Sequence, residues 1–288
     1  MEKSVSIIGG DIRLSYLAKL YSQENINVYT YGQEKCEILE NKNIIKCNSI
    51  KDAIDNSNTV ISSIPFSRDG FFVSTVYSNK KIEISEMAKH IKNKTFIAGK
   101  IPNKFYDISK NNNVKIIDLL KNESMSILNS IPTAEGAIKI AIEETKATIH
   151  GSNVLILGFG RIGKILAKYL QGFGANIYCE ARKQEDLAWI ESLGYRPIHL
   201  TDLSSSLQKE SYDIIFNTIP KIILSEEKLK LINKDTLIID LASSPGGVDN
   251  IIANKLKIKV ISALALPGKI APLASAKIIK QTIKDIIM

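Results

Sequence analysis

The sequence is short of cysteine, arginine, histidine and long apolar runs, and each shortage removes a class of protein. Three cysteines in 288 residues (Cys36, Cys47 and Cys179), none in a Cys-x-x-Cys pair, provide neither a disulfide framework nor a zinc site. No metal and a reducing cytoplasm are therefore expected. No apolar run approaches the ~20 residues that cross a bilayer, so no membrane span is expected either. The first ten residues, Met-Glu-Lys-Ser-Val-Ser-Ile-Ile-Gly-Gly, lack the positive flank and small-residue cleavage site of a secretory signal. Only five of the 38 basic residues are arginine: Arg13, Arg68, Arg161, Arg182 and Arg196. The net charge of +8 comes from lysines scattered among isoleucine and asparagine, three residues with A/T-rich codons, rather than from a basic stripe. No nucleic-acid partner is expected, while a small anionic substrate remains compatible.

What the chain does have is a repeated grammar of short Val/Ile-rich runs and helical stretches, which predicts parallel sheets covered by helices. In the first half, strands are expected near 5–8, 27–31, 44–46, 59–62, 95–98 and 114–118. In the second they are expected near 154–157, 177–179, 196–198, 213–217, 237–240 and 259–262. Six strands per half suit two doubly wound, Rossmann-like α/β domains with a cleft between them. The first domain is assigned to 1–130 and the second to 131–270. A connecting helix is expected from about Thr133 to Lys146, with Thr133 at its start accepting from free amides. A helix over 271–288, apolar along Ile278, Ile279, Ile283, Ile286 and Ile287, is free to pack back on the first domain.

The two halves align. Val5-Ser-Ile-Ile-Gly-Gly-Asp-Ile-Arg-Leu matches Val154-Leu-Ile-Leu-Gly-Phe-Gly-Arg-Ile-Gly, and Ser62-Ser-Ile-Pro65 matches Asn217-Thr-Ile-Pro220. An internal duplication accounts for this, as does convergence of α/β units. In the second half, Gly158-Phe159-Gly160-Arg161-Ile162-Gly163 stands between a strand and a helix, the frame that turns a weak fingerprint into a dinucleotide site. Gly158 permits the turn, Gly160 lets the backbone approach a pyrophosphate, and Gly163 lets helix and strand pack closely. In the first half, Asp11 and Leu14 replace the second and third glycines, so only the second half is expected to bind the dinucleotide.

The end of the second strand of that domain selects the cofactor. NAD sites place an acid there for the ribose hydroxyls, whereas NADP sites supply a cation for the 2′-phosphate. The position falls at Ala181, followed by Arg182 and Lys183, which favours NADP. Glu180, one residue early, is expected on the opposite face; a slip of register would bring it round and favour NAD. Thr218, Ile219 and Pro220, after the fourth strand, are expected to border the nicotinamide ribose, and Ala242 and Ser243, after the fifth, the nicotinamide. The three histidines, His90, His150 and His199, do not follow the fourth strand, and His150 and His199 read as connector residues. That disfavours a hydroxy-acid dehydrogenase with a late acid/base histidine.

Longer strings are more specific. Asn129-Ser-Ile-Pro-Thr-Ala-Glu-Gly136, Thr148-Ile-His-Gly-Ser152, Asn217-Thr-Ile-Pro220, Asp240-Leu-Ala-Ser-Ser-Pro-Gly-Gly247 and Leu266-Pro-Gly-Lys-Ile-Ala-Pro272 together resemble the dipicolinate synthase A-subunit family over nearly the whole chain. Ser244 departs from the family pattern, which carries Arg before Pro-Gly-Gly. The resemblance implies oxidation of a dihydrodipicolinate-type ring to pyridine-2,6-dicarboxylate with a nicotinamide cofactor, in the mother-cell cytoplasm of a sporulating bacterium. It also implies a partner, the flavoprotein-like B-subunit of dipicolinate synthase, and a second copy of the chain is a further expected partner. On this reading Ser63, Asn129, Ser130, Thr133, Glu135 and Ser243 are candidates for the catalytic and substrate-side groups, with Arg13 and Arg68 as carboxylate clamps. The alternative is a non-catalytic nucleotide-binding protein whose partner carries the chemistry.

Overall fold

A computed structural model describes residues 3–287. In chain order the first elements are β1 (Ser4–Ile8), α1 (Ile12–Gln23), β2 (Asn27–Tyr31), β3 (Ile44–Lys46), α2 (Ile50–Asp55), β4 (Thr59–Ser62), α3 (Ile84–His90), β5 (Thr95–Ala98), α4 (Asn103–Ser109), β6 (Lys115–Asp118) and α5 (Glu123–Leu128). They are followed by α6 (Ser130–Glu144), β7 (Asn153–Leu157), α7 (Arg161–Gly172), β8 (Asn176–Ala181), α8 (Gln184–Ser192), β9 (Arg196–His199), α9 (Leu203–Lys209), β10 (Ile214–Asn217), α10 (Glu226–Leu229), β11 (Leu237–Asp240), α11 (Asn250–Leu256), β12 (Lys259–Ser262), α12 (Leu266–Ile270) and α13 (Pro272–Ile287). The chain divides into two compact units, residues 1–129 with 271–288, and residues 130–270.

Each unit holds one six-stranded sheet, and every pairing within it is parallel. The strand order is β3-β2-β1-β4-β5-β6 in the first unit and β9-β8-β7-β10-β11-β12 in the second, so both are doubly wound α/β folds. The central strands read as unbroken apolar runs, Val-Leu-Ile-Leu in β7 and Ile-Ile-Phe in β10, because helices cover both faces of a parallel sheet. In the second unit, Val154, Ile156, Cys179 and Ile239 face one helical layer, and Leu155, Leu157, Ile215 and Ile238 face the other. Burial of the Cys179 thiol pushes its pKa up, so it stays protonated and serves as a small apolar filler.

The final helix belongs to the first unit. Ala276, Ile279 and Ile283 of α13 are buried among Leu14, Leu17 and Tyr21 of α1. Each buried isoleucine contributes about 1.5–3 kcal/mol, enough to hold the helix there. At the other end of the linker the structure departs from the sequence reading. α6 begins at Ser130 rather than Thr133, one residue after α5, whose own start is capped by Asn122 accepting from the Met125 N–H at 2.8 Å. Pro132 lies in the first turn of α6, where a missing N–H costs nothing, so the helix starts ahead of it. Thr133 is thus inside the helix and not its cap.

Candidate dinucleotide and substrate site

The second unit gathers its sequence-predicted residues along the carboxyl edge of one sheet. β7 runs into Gly158, whose positive φ of +93° and tight contact with Thr218 exclude any side chain. A Cβ at Gly163 would overlap the Gly158 carbonyl oxygen, so the first turn of α7 lies hard against the loop. Gly160 is the opposite case. It caps α7 without a side-chain hydrogen bond, it is exposed, and a Cβ added there would meet nothing within 4 Å. The start of a 12-residue helix therefore faces open space, the arrangement that receives a pyrophosphate. Phe159 is buried in the core beneath the loop, with Ile162 packed against the same core and Arg161 exposed.

The aligned loop of the first unit is closed. The Gly10 N–H donates to the Ser74 carbonyl oxygen at 2.8 Å and the Val76 N–H to the Gly10 carbonyl oxygen at 3.1 Å, so the segment 73–76 lies on the loop. Asp11 caps α1 by accepting from the Arg13 N–H and also binds the Arg13 guanidinium, whose Nη2 donates to the Ile64 carbonyl oxygen as well. Arg13 is buried and engaged in this way, which takes it out of the carboxylate-clamp role. The loop is blocked by this chain segment as well as by Asp11 and Leu14.

At the outer end of the dinucleotide loop, Ala181 closes β8 and is buried, while Arg182 and Lys183 follow it exposed. Glu180 is 1% exposed, sits beside Leu157 and Ile198, and neither carboxylate oxygen has a hydrogen-bond partner. Burial pushes its pKa above the ordinary 4.5, against the pull of the nearby Gly158 N–H, Arg182 and His199. A carboxyl whose pKa is raised by folding stabilises the fold fully at low pH and loses that contribution as pH rises through its folded pKa. Glu180→Gln should accordingly be more stable than the parent at pH 7, with the gap shrinking towards pH 4.5; thermal melts across this range check the sign.

The inner end rests on a pair of buried polar residues to which sequence reasoning gave no role. Asn217 ends β10 and Asp240 ends β11, side by side in register, and Asn217 Nδ2 donates to Asp240 Oδ1 at 2.7 Å. Asp240 also accepts from the Ala242 N–H at 3.1 Å and the Gly247 N–H at 2.9 Å, and Asn217 Oδ1 accepts from the Ile219 N–H at 3.2 Å. One network thus holds both Thr218-Ile219-Pro220 and the Ala242–Gly247 loop. Thr218 Oγ1 donates to the Leu157 carbonyl oxygen at 2.9 Å, tying the first of these back to β7. The signal in the sequence was a single polar residue closing each of two apolar strands, Ile-Ile-Phe-Asn and Leu-Ile-Ile-Asp.

The remaining candidates are spread over both units. Ser63 is buried and its hydroxyl donates to the Phe66 carbonyl oxygen at 3.1 Å. Asn129 closes α5, and Arg68 is exposed in the first unit. In the second, Ser130 and Thr133 lie in the first turn of α6, and Ser243 and Ser244 are exposed after β11. Glu135 lines a groove of about 650 Å³ between α6 and α7 with Lys168 and Tyr169. Among the described residues no group of His, Cys, Asp and Glu is arranged to hold a metal, and no helix is long and apolar enough to cross a membrane.

Residues 4–120 match the family model for the N-terminal domain of the dipicolinate synthase A-subunit. The dipicolinate synthase A-subunit of Bacillus subtilis (strain 168) is 32% identical over 287 residues, covering 98% of this chain and 95% of its own length. The chain belongs to the dipicolinate synthase A-subunit family. Solved structures agree. The A-subunit structure from Bacillus subtilis has a TM-score of 0.85 at 31% identity, covering 99% of this chain and 95% of that one. The A-subunit structure from Bacillus halodurans has a TM-score of 0.87 at 30% identity, covering 99% and 97%. Residues 133–266 match the D-isomer specific 2-hydroxyacid dehydrogenase, NAD binding domain. The second unit therefore carries an oxidoreductase-type domain for a nicotinamide dinucleotide. That match covers the nucleotide domain, so the absence of a histidine after β10 still bears on the substrate chemistry.

Proposed function

We propose that the chain is an NADP-linked oxidoreductase that dehydrogenates a dihydrodipicolinate-type ring to pyridine-2,6-dicarboxylate during spore formation. The observation that carries this reading is the open Gly160 loop at the start of α7 with Ala181, Arg182 and Lys183 at its outer end, in a chain of this family. Gly158 to Gly163 would hold the pyrophosphate, and Arg182 and Lys183 the 2′-phosphate. Thr218, Ile219, Pro220, Ala242 and Ser243 would border the nicotinamide end. When bound, the nicotinamide supplies the hydride acceptor. Loss of a ring hydride and of the N–H proton leaves an aromatic dicarboxylate, and aromatisation drives the step without a strong dedicated base. The groups of the second unit proposed to meet the substrate are accordingly hydroxyls, those of Ser130, Thr133 and Ser243. The B-subunit of dipicolinate synthase and a second copy of the chain are the partners proposed, in the mother-cell cytoplasm.

A charge-assisted Arg–phosphate contact is worth about 1.5–3 kcal/mol, so Arg182→Ala should weaken NADP roughly 10- to 100-fold and leave NAD within about twofold. Isothermal titration of both dinucleotides measures this, and equal affinities in the parent would overturn the NADP assignment. The lack of a titratable side chain among Thr218, Ile219, Pro220, Ala242 and Ser243 favours a second reading, a nucleotide-binding protein whose partner does the chemistry. Following NADPH absorbance with the dihydrodipicolinate source, for this chain alone and with the B-subunit, separates the two. Turnover by this chain alone excludes the second reading.

A further inference from the structure

Sequence reasoning leaves His199 a connector residue, yet it is the side chain that fixes the turn carrying Arg182 and Lys183. His199 ends β9 in register with Ala181, the small residue that closes β8. Its imidazole is held at both nitrogens. The Thr201 N–H donates to Nδ1 at 3.4 Å and the Thr201 hydroxyl lies 2.7 Å from the same nitrogen. An Nδ1 that accepts leaves the proton on Nε2, which lies 3.2 Å from the Arg182 carbonyl oxygen and donates to it. The ring therefore bridges the start of the β9–α9 connection to the backbone of the residue just beyond β8.

That bridge matters because it holds the residue between two fixed points: Ala181 ends β8, and the Lys183 carbonyl oxygen accepts the Leu187 N–H at 3.1 Å at the start of α8. Arg182 and Lys183 are both exposed, and Lys183 is the residue before α8, extended at φ −93° and ψ 138° with no side-chain cap bond. Fixing a residue's backbone costs conformational entropy, and a ligand that has to order the turn itself loses that much affinity. A backbone already pinned at the Arg182 carbonyl spares the ligand most of this. NAD, which has no group for the two cations to hold, gains nothing from the pinning.

Resting on the NADP reading above, we propose that His199 is a positioning residue for dinucleotide choice: its Nε2–H holds the Arg182–Lys183 turn in the conformation that receives a 2′-phosphate. The ligand class is a 2′-phosphorylated adenosine, and His199 acts on it through Arg182.

The test is isothermal titration of the intact chain with NADP, NAD, adenosine 2′,5′-bisphosphate and 5′-AMP, for the parent, His199→Ala, His199→Gln and Arg182→Ala. A hydrogen bond of this kind is worth about 0.5–1.5 kcal/mol, so His199→Ala should weaken NADP and the bisphosphate by roughly three- to tenfold. NAD and 5′-AMP should stay within about twofold. Glutamine, whose amide can donate to the same carbonyl, should recover most of the loss, a rescue that a purely structural role would not give. Equal weakening of all four ligands, or no change in any while Arg182→Ala still weakens NADP, would overturn the role of His199 and leave the NADP reading standing. A parent that binds NAD as tightly as NADP, with Arg182→Ala changing neither, would overturn both.

Discussion

Gly160→Asp should abolish dinucleotide binding while leaving the melting temperature unchanged or slightly raised. The stability half follows from the site being open. A Cβ at Gly160 meets nothing within 4 Å, its φ of −82° is ordinary for any residue, and α7 has no side-chain cap to lose. Aspartate is a better N-cap than glycine by a few tenths of a kcal/mol. The binding half follows from what the new carboxylate does. It takes the amides at the start of α7 that an incoming pyrophosphate needs, fills the space of its approach, and sets a negative charge against two phosphates. A loss of at least about 100-fold, or roughly 2.7 kcal/mol, is expected by isothermal titration. The first unit already shows the substitution in place, since Asp11 occupies the aligned position and caps α1. Gly160→Asp with a higher melting point but intact affinity would mean that the pyrophosphate sits elsewhere.

That internal comparison shows which parts of the molecule were legible from sequence. All twelve strands were: the central ones are unbroken apolar runs such as Val-Leu-Ile-Leu and Leu-Ile-Ile, which have few alternatives, and the half-exposed edge strands, such as Arg-Pro-Ile-His, follow from the alternation of short strands with helices. The glycine loop was legible because its three glycines are themselves a spaced motif set between a strand and a helix. The closure of the first loop was not, because segment 73–76 reaches Gly10 from more than sixty residues along the chain and carries no motif. The start of α6 was misplaced because Thr133 reads as a cap, although it follows Pro132 inside the first turn. His199 escaped notice because its partner is a backbone carbonyl, which sequence patterns do not mark.

The buried pair at the inner end of the sheet escaped for a further reason: Asn and Asp at strand ends read as turn residues, and their polar groups here replace turn geometry with a shared network. Asp240→Ala should be the most destabilising single change proposed for the second unit. Asp240 is 3% exposed and its two oxygens accept from Asn217 Nδ2, the Ala242 N–H and the Gly247 N–H. Truncation leaves all three donors short of an acceptor. Each buried unpaired donor costs about 1–3 kcal/mol, and relaxation of the exposed 243–245 loop towards water recovers part of it, which places the net loss at about 3–5 kcal/mol. For a unit of this size that lowers the melting temperature by roughly 6–20 °C. The loops cannot relax by moving closer, because a Cβ added at Gly247 would already overlap the Asn217 amide. They move outward, and the residues proposed at the nicotinamide end, Thr218 to Pro220 and Ala242 to Ser243, move with them. Asp240→Asn separates the two effects. It keeps one acceptor for Asn217 and Ala242 but turns an amide N–H towards the Gly247 N–H, so only the far side of the loop is released. Its melting temperature should fall by less than half as much as that of the alanine variant, while affinity for a 2′,5′-bisphosphate fragment, proposed to bind at the other end, stays unchanged. Thermal melts paired with fragment titration check both. A fragment affinity that falls with the melting temperature would show the network supporting the whole unit rather than its inner end.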